Sequence, residues 1–243
     1  MKLKEIIQVL ETIAPPELAE DYDHGKIGLV LDRGSDVQKI AVALDPTDAV
    51  LNEASRLGAD LLITHHTLIF DPVNKISKRL SDTLKIAIDS DISIYTMHTN
   101  YDKARGGVND ILAGLLGLNN IIPLKLGRIG EIKPCNALEF ASFLSEKLDA
   151  PVLYTGKGLI KKVMIVGGSG FGREYMDIAF EQGADALVSG EMRHSAVRYA
   201  GGLCLFDATH YATEAPAMER LCGRLPVESV FIEDRPEMAS INR

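Results

Sequence analysis

The sequence predicts an α/β protein made of two related α/β domains with mixed, largely parallel sheets. Short apolar, partly β-branched runs alternate with helix-length amphipathic segments, the alternation starts twice, and its second start repeats residues of the first.

The elements follow in order. Leu3, Ile6, Ile7, Leu10 and Ile13 fall at helical spacing, and Pro15-Pro16 stops the segment. A polar loop runs from Asp21 to Lys26. Residues 39–45 form a short apolar run backed by Pro46, which reads as a buried strand. Residues 47–57 have helix character up to Gly58, and 60–64 is a second buried strand that delivers His65-His66 at its C-terminal end. A helix over 78–90, a strand over 92–97 ending on His98, and a helix over 108–116 after Gly106-Gly107 complete the first half. From 124 the character changes: a strand-like run with charges and glycines to 133, an amphipathic helix over 136–148, and a short strand over 151–154. The β-α-β alternation then resumes with a strand over 162–166, a helix over 172–182, and strands over 185–189 and 203–208.

The triplet Gly-Ala-Asp occurs at 58–60 and at 183–185, each time just before a strand, and His98 with Asp102 is echoed by His210 with Glu214, each pair just after one. Two matches in the same order point to an internal duplication. The boundary is expected near residue 124, with an N-terminal domain over 1–124 and a C-terminal domain over 125–243.

Composition excludes several classes. With 46% hydrophobic and 25% charged residues, a chain of 243 residues can bury a core and is neither disordered nor collagen-like. The 26 basic and 34 acidic residues give a net charge of −8 with no dense Lys/Arg run, so nucleic acid is an unfavoured partner. No apolar run is long enough for a membrane span, and the N-terminus reads as an amphipathic helix rather than a secretory signal, so cytoplasmic residence is expected. Cys135, Cys204 and Cys222 lie far apart without a C-x-x-C spacing, which suggests neither a disulfide framework nor a thiolate zinc site.

Histidine placement carries the chemistry. His65, His66, His98 and His210 all lie just past the C-terminal ends of expected strands, the edge at which open α/β sheets form ligand sites. Asp102 and Glu214 follow His98 and His210 by four residues, which on a helical turn puts imidazole and carboxylate on one face; a plain helical ion pair is the alternative. Adjacent residues leaving a strand point in opposite directions, so His65 and His66 suit two neighbouring cations better than one. His65, His66, Asp102, His210 and Glu214 make a mixed N/O set without thiolate, suited to two divalent ions among Zn, Mn, Fe, Co and Ni, with Glu214 bridging. Such a centre acidifies a bridging water, clamps oxygens around a reacting atom and favours anionic or carbonyl-rich substrates, so hydrolysis is the expected chemistry. Asp45 could orient a ligand imidazole or simply cap a strand end. Lys103, Arg105 and Gly106-Gly107 could receive a phosphate or form a solvated turn. Residues 167–172, Gly-Gly-Ser-Gly-Phe-Gly, stand between strand and helix, but their glycine spacing departs from the dinucleotide fingerprint.

Three blocks resemble a known family: Leu-Leu-Ile-Thr-His-His-Thr-Leu-Ile-Phe at 61–70, Met-His-Thr-Asn-Tyr-Asp at 97–102 with Gly106-Gly107-Val108-Asn109-Asp110, and Asp-Ala-Thr-His-Tyr-Ala-Thr-Glu at 207–214. They are similar to the signature blocks of the Nif-three-like family, the GTP cyclohydrolase I type 2 homologues. The resemblance implies a two-domain α/β protein with a dinuclear metal site at the domain cleft, a nucleotide-like or other anionic substrate, and assembly as a ring-shaped homohexamer. It implies His65, His66, Asp102, His210 and Glu214 as ligands, with His98 beside them as a further ligand or a catalytic proton shuttle. One departure concerns residues 23–29, which keep Gly28-Leu29 but lack the tryptophan and the Asp-Asn of many members. The reading from a different class is a non-catalytic metal-binding or scaffold ring.

Overall fold

The structure, a computed structural model, describes residues 1–34 and 36–238. The chain folds into two compact units, the first comprising Met1–Arg105 and Ala217–Arg235, the second Gly106–Pro216 with residues 236–238.

In the first unit, α1 (Leu3–Ile13) buries Leu3, Ile6 and Leu10, one stripe of a 3.6-residue period, and the Glu5 carboxylate accepts the Lys2 backbone N–H at its start. Strand β1 (Gly28–Leu31) follows a loop of short 3-10 turns. Then β2 (Lys39–Ala43), α2 (Asp48–Arg56), β3 (Leu61–Thr64), α3 (Lys78–Asp89) and β4 (Ser93–Thr96) form two consecutive parallel β-α-β steps. The hydroxyls of Thr47 and Ser77 cap α2 and α3 by accepting the N–H groups of Val50 and Leu80. Every residue of β3 and β4 is buried, because a parallel strand with both faces covered has no solvent side. Ala41, Ala43, Leu62 and Ile94 pack with Val50, Leu51 and Ala54 of α2 and Ala87 of α3. The short helix α4 (Thr99–Lys103) leaves the end of β4.

The second unit opens with α5 (Val108–Leu115), followed by β5 (Asn119–Pro123), β6 (Arg128–Asn136), α6 (Ala137–Leu148) and β7 (Leu153–Thr155). The β-α-β part is β8 (Leu159–Ile165), α7 (Arg173–Glu181), β9 (Ala186–Ser189), α8 (His194–Tyr199) and β10 (Cys204–Asp207), with α9 (His210–Leu221) after it. The sheet order is β5-β6-β8-β9-β10-β7; the pairs β8/β9 and β9/β10 are parallel, and the other pairings are antiparallel. Its strands alternate in the layers they face. Val163, Ile165, Val188 and Phe206 pack with Phe140 and Leu144 of α6, while Met164, Leu187 and Leu205 pack with Met176 and Ala179 of α7 and Ala196 of α8. This unit therefore has three layers, helix, sheet and helix.

The chain leaves the second unit within α9, after Pro216, and β11 (Glu228–Phe231) then pairs parallel with β2. The first sheet has the order β1-β4-β3-β2-β11, with β1 antiparallel to β4. A division at residue 124 was expected from sequence. The chain divides instead after Arg105 and again after Pro216, because the C-terminal strand hydrogen-bonds into the first sheet. The expected strand from 124 also starts later: Leu124 and Gly127 close a turn, with Gly127 at φ 83°, and β6 begins at Arg128.

Candidate metal centre

In the first unit the backbone N–H groups of His65 and His66 both donate to the carbonyl of Leu44, at 3.1 and 3.0 Å, so the turn after β3 is tied to the end of β2. His65 is fully buried. Its Nδ1 donates to the carbonyl of Met97 at 2.8 Å, and the Nδ1 of His66 donates to Oδ1 of Asp45 at 2.7 Å. The Nδ1 of His98 lies 2.8 Å from Oδ2 of Asp23, which also accepts the backbone N–H and hydroxyl of Thr99. Carbonyl and carboxylate oxygens only accept, so each Nδ1 carries a proton, and Nε2 is the ring nitrogen that can ligate in the neutral form. The three rings have centroids 5.0–5.7 Å apart and offer ligand atoms within 4.8 Å of one another. On α4, Asp102 brings a carboxylate oxygen to 3.5 Å from Nε2 of His65. Burial pushes the Asp23 carboxyl up, but the hydrogen bonds from His98 and Thr99 outweigh it and hold the group below the usual carboxylate range.

In the second unit His210 opens α9. Its Nδ1 donates to Oε1 of Glu191 at 2.7 Å, and its Nε2 lies 2.9 Å from Oε2 of Glu214, one helical turn on and 3% exposed. The hydrogen bond from His210 holds the Glu191 carboxyl below its ordinary value. Both segments that present this pair carry non-glycine residues in the left-handed region, Glu191 at φ 63° and Thr209 at φ 70°. Asp207 at the end of β10 spans them, accepting the N–H of Thr209 at 3.0 Å on one oxygen and that of Met192 at 2.8 Å on the other.

The glycine-rich run also finds its reason here. The N–H groups of Gly167, Gly168 and Gly170 donate to side chains of Asn109, Thr213 and Ser189, which commits them within the protein rather than to a pyrophosphate. Gly168 has φ 70°, and a Cβ there would lie 2.1 Å from Oε1 of Glu214, so glycine is what lets this backbone approach the His210–Glu214 pair. The expected phosphate turn is likewise occupied: Lys103 pairs with Glu20, and the N–H of Gly106 donates to Asp110.

The structure brings His65, His66, His98 and Asp102 together in the first unit and joins His210 to Glu214 in the second. Asp45 stands beside His66, as expected of an orienting carboxylate. Asp23, Glu191 and Asp207 escaped sequence reasoning in these roles, because Asp23 and Glu191 reach an imidazole from 75 and 19 residues away and Asp207 reaches the Met192 N–H from 15, separations that leave no local spacing signal. The donor chemistry fits a divalent transition ion: imidazoles with a fixed tautomer, carboxylates beside them, and a hydrogen-bond acceptor behind each ring.

An α/β protein with two mixed sheets and histidine–carboxylate groups that could hold metal is the class that fold and site define. The chain belongs to the Duf34/NIF3 (NGG1p interacting factor 3) family, whose model matches residues 1–235, in agreement with the three-block resemblance. It is 36% identical to a "GTP cyclohydrolase 1 type 2 homolog" of Clostridium perfringens, covering 96% of this chain and 95% of the relative. A protein of the same description from Methanocaldococcus jannaschii is 35% identical, covering 96% of this chain and all (100%) of the relative. Among solved structures, reduced HcgD from Methanocaldococcus jannaschii superposes with a TM-score of 0.85 at 33% identity, covering 96% of this chain and 98% of that one. A Bacillus cereus protein related to NIF3 shares the fold with a TM-score of 0.89 at 23% identity, over 100% and 99% of the two chains.

Proposed function

We propose that the protein is a metal-dependent hydrolase in which His65, His66, Asp102, His210 and Glu214 would hold two divalent ions. The observation that carries this reading is the shared construction of four imidazoles, each with Nδ1 tied to an acceptor, so that Nε2 is the nitrogen each ring can offer a cation. Two such ions supply Lewis-acid polarisation of substrate oxygens and acidify water. The residues do the rest. Met97, Asp45 and Glu191 orient His65, His66 and His210, and His98, backed by Asp23, takes or returns a proton at Nε2. The names of the relatives support a nucleotide-like or other anionic substrate, with GTP the first to test. Cytoplasmic residence and a homohexamer belong to the same reading; no helix among the described residues is long and apolar enough to cross a membrane.

Elemental analysis after reconstitution with Zn, Mn, Fe, Co or Ni is expected to find two ions per chain, with one or none when His65, His66 or Glu214 is replaced by alanine. Full stoichiometry in those variants overturns the ligand set. Turnover of GTP or a phosphoester, lost in His98→Ala while metal content persists, supports hydrolysis. No turnover across a broad panel by the metal-loaded protein replaces the hydrolase with a non-catalytic metal-binding protein.

We infer further that the units descend from one duplicated half. Strands β2-β3-β4 and β8-β9-β10 are parallel triples, each flanked on its last strand by an antiparallel one, β1 on β4 and β7 on β10. In both, the Gly-Ala-Asp triplet performs the same task. Gly58 and Gly183 end a helix at φ 69° and 64°, and Asp60 and Asp185 each accept two backbone N–H groups at the start of the neighbouring strand.

A further inference from the structure

Glu191 also lines a small cavity of about 210 Å³ in the second unit. Its floor is apolar, with Phe171, Met176 and Ala196 all buried. Arg173, Arg193, Ser169 and Ser195 line its wall. Neither guanidinium makes a side-chain hydrogen bond or an ion pair within hydrogen-bonding reach of a carboxylate among the described residues. Arg173 instead stacks over the ring of Tyr199, 5.0 Å from its centroid, and Tyr199 is held in turn by a hydrogen bond to Asp177. The carboxylate in the wall, Glu191, is engaged by His210 and by Ser169.

Two arginines lining one concavity, neither in an ion pair within hydrogen-bonding reach of a carboxylate among the described residues, are an unusual arrangement in a chain of net charge −8, where acidic partners are plentiful. A planar fork of N–H donors matches the oxygens of a phosphoryl group, and the flanking hydroxyls add neutral donors. The cavity is large enough for that group and too small for a nucleoside. Two arginines against one glutamate give the wall a formal charge of +1, which favours an anion.

We propose that this cavity is a phosphoryl-binding subsite, in which Arg173 and Arg193 hold the phosphate of a phosphomonoester substrate. The proposal rests on the hydrolase reading for the identity of the substrate, since Glu191 links the cavity to His210, but the binding itself needs no metal. It adds a substrate class: a molecule with a terminal phosphate anchored here, its reacting atom directed toward His210.

The test is isothermal titration of the whole protein in chelator, with inorganic phosphate and with guanosine 5′-monophosphate as probes. Both are expected to bind, and Arg173→Ala combined with Arg193→Ala is expected to weaken each at least tenfold while thermal melting stays unchanged, both side chains being exposed. Arg193→Lys is expected to recover part of the loss, because it keeps the charge and loses the fork. Tighter binding of the nucleotide than of phosphate assigns the subsite to substrate, and equal binding assigns it to free phosphate. Binding of both probes unchanged in the double variant, or absent from the parent protein, overturns the subsite. Metal content, measured separately on the same variants, is expected to stay at the parent value, so failure of the metal reading and failure of the subsite are told apart.

Discussion

Asp23 shows how much a single buried side chain holds in place. It is fully buried, and one of its oxygens accepts from His98, the Thr99 N–H and the Thr99 hydroxyl. Asp23→Asn removes the charge from three hydrogen bonds, each worth about 1.5–3 kcal/mol when one partner is charged. The variant is expected to lose about 2–4 kcal/mol in urea unfolding, since the amide retains part of the network. Because the folded carboxyl titrates below its ordinary value of 3.8, its stabilisation is fully present above that pH and is lost as the pH falls through the lower folded value. Acid unfolding curves of the parent protein and of Asp23→Asn should therefore converge below pH 3.8, and curves that stay equally separated there would count against the assignment. At Gly168 the constraint is steric. Alanine would place a Cβ 2.1 Å from Oε1 of Glu214 on a backbone at φ 70°, so Gly168→Ala is expected to displace Glu214, lower metal content and reduce stability by about 2 kcal/mol or more. Unchanged metal content in a folded Gly168→Ala protein would show that this approach is not needed.

Among the elements, those buried on both sides were legible and those at the edges were not. Strands β2, β3, β4, β9 and β10 and the buried second half of β8 were visible as apolar runs, because strand segments covered on both faces are apolar. Strands β1, β5 and β11 were missed. Their residues are mostly half-buried or exposed, and they are set by pairing with a neighbour rather than by their own pattern. The Gly-Ala-Asp triplet was seen only as a repeat; its physical content is a helix stop followed by an acceptor for two strand amides. Alanine in the left-handed conformation costs about 1–2 kcal/mol, so Gly58→Ala and Gly183→Ala are each expected to lower stability by that amount. A methyl group at either glycine would meet no neighbouring atom within 4 Å, so the loss should be conformational alone and similar at both sites. A loss at one site only, in matched thermal melts, would argue against equivalent roles.

For the molecule as a whole, the final strand decides where the first unit ends. Strand β11 pairs with β2 over Glu228–Phe231, and Asp234 accepts from the hydroxyl of Thr47 at the start of α2. Deleting residues 228–238 would turn β2, whose Ile40–Ala43 are fully buried, into an open edge with unpaired backbone groups. The shortened chain is expected to aggregate or to lose several kcal/mol of stability, read by light scattering and by hydrogen exchange of the β2 amides. Unchanged protection of those amides would remove β11 from the folded core.

By itself the sequence determined the alternating α/β class, the interior strands with their helices, and the residues able to ligate a cation, since periodicity, turn residues and side-chain chemistry are local properties. Only the tertiary structure decided that the C-terminal strand completes the first sheet, that the glycine-rich run closes on Glu214, and that Asp23, Asp45, Met97 and Glu191 set the tautomers of four histidines. These are pairings between groups far apart in the chain. They are selected by burial and by the need of each enclosed polar atom for a partner, conditions that exist only once the chain has closed on itself.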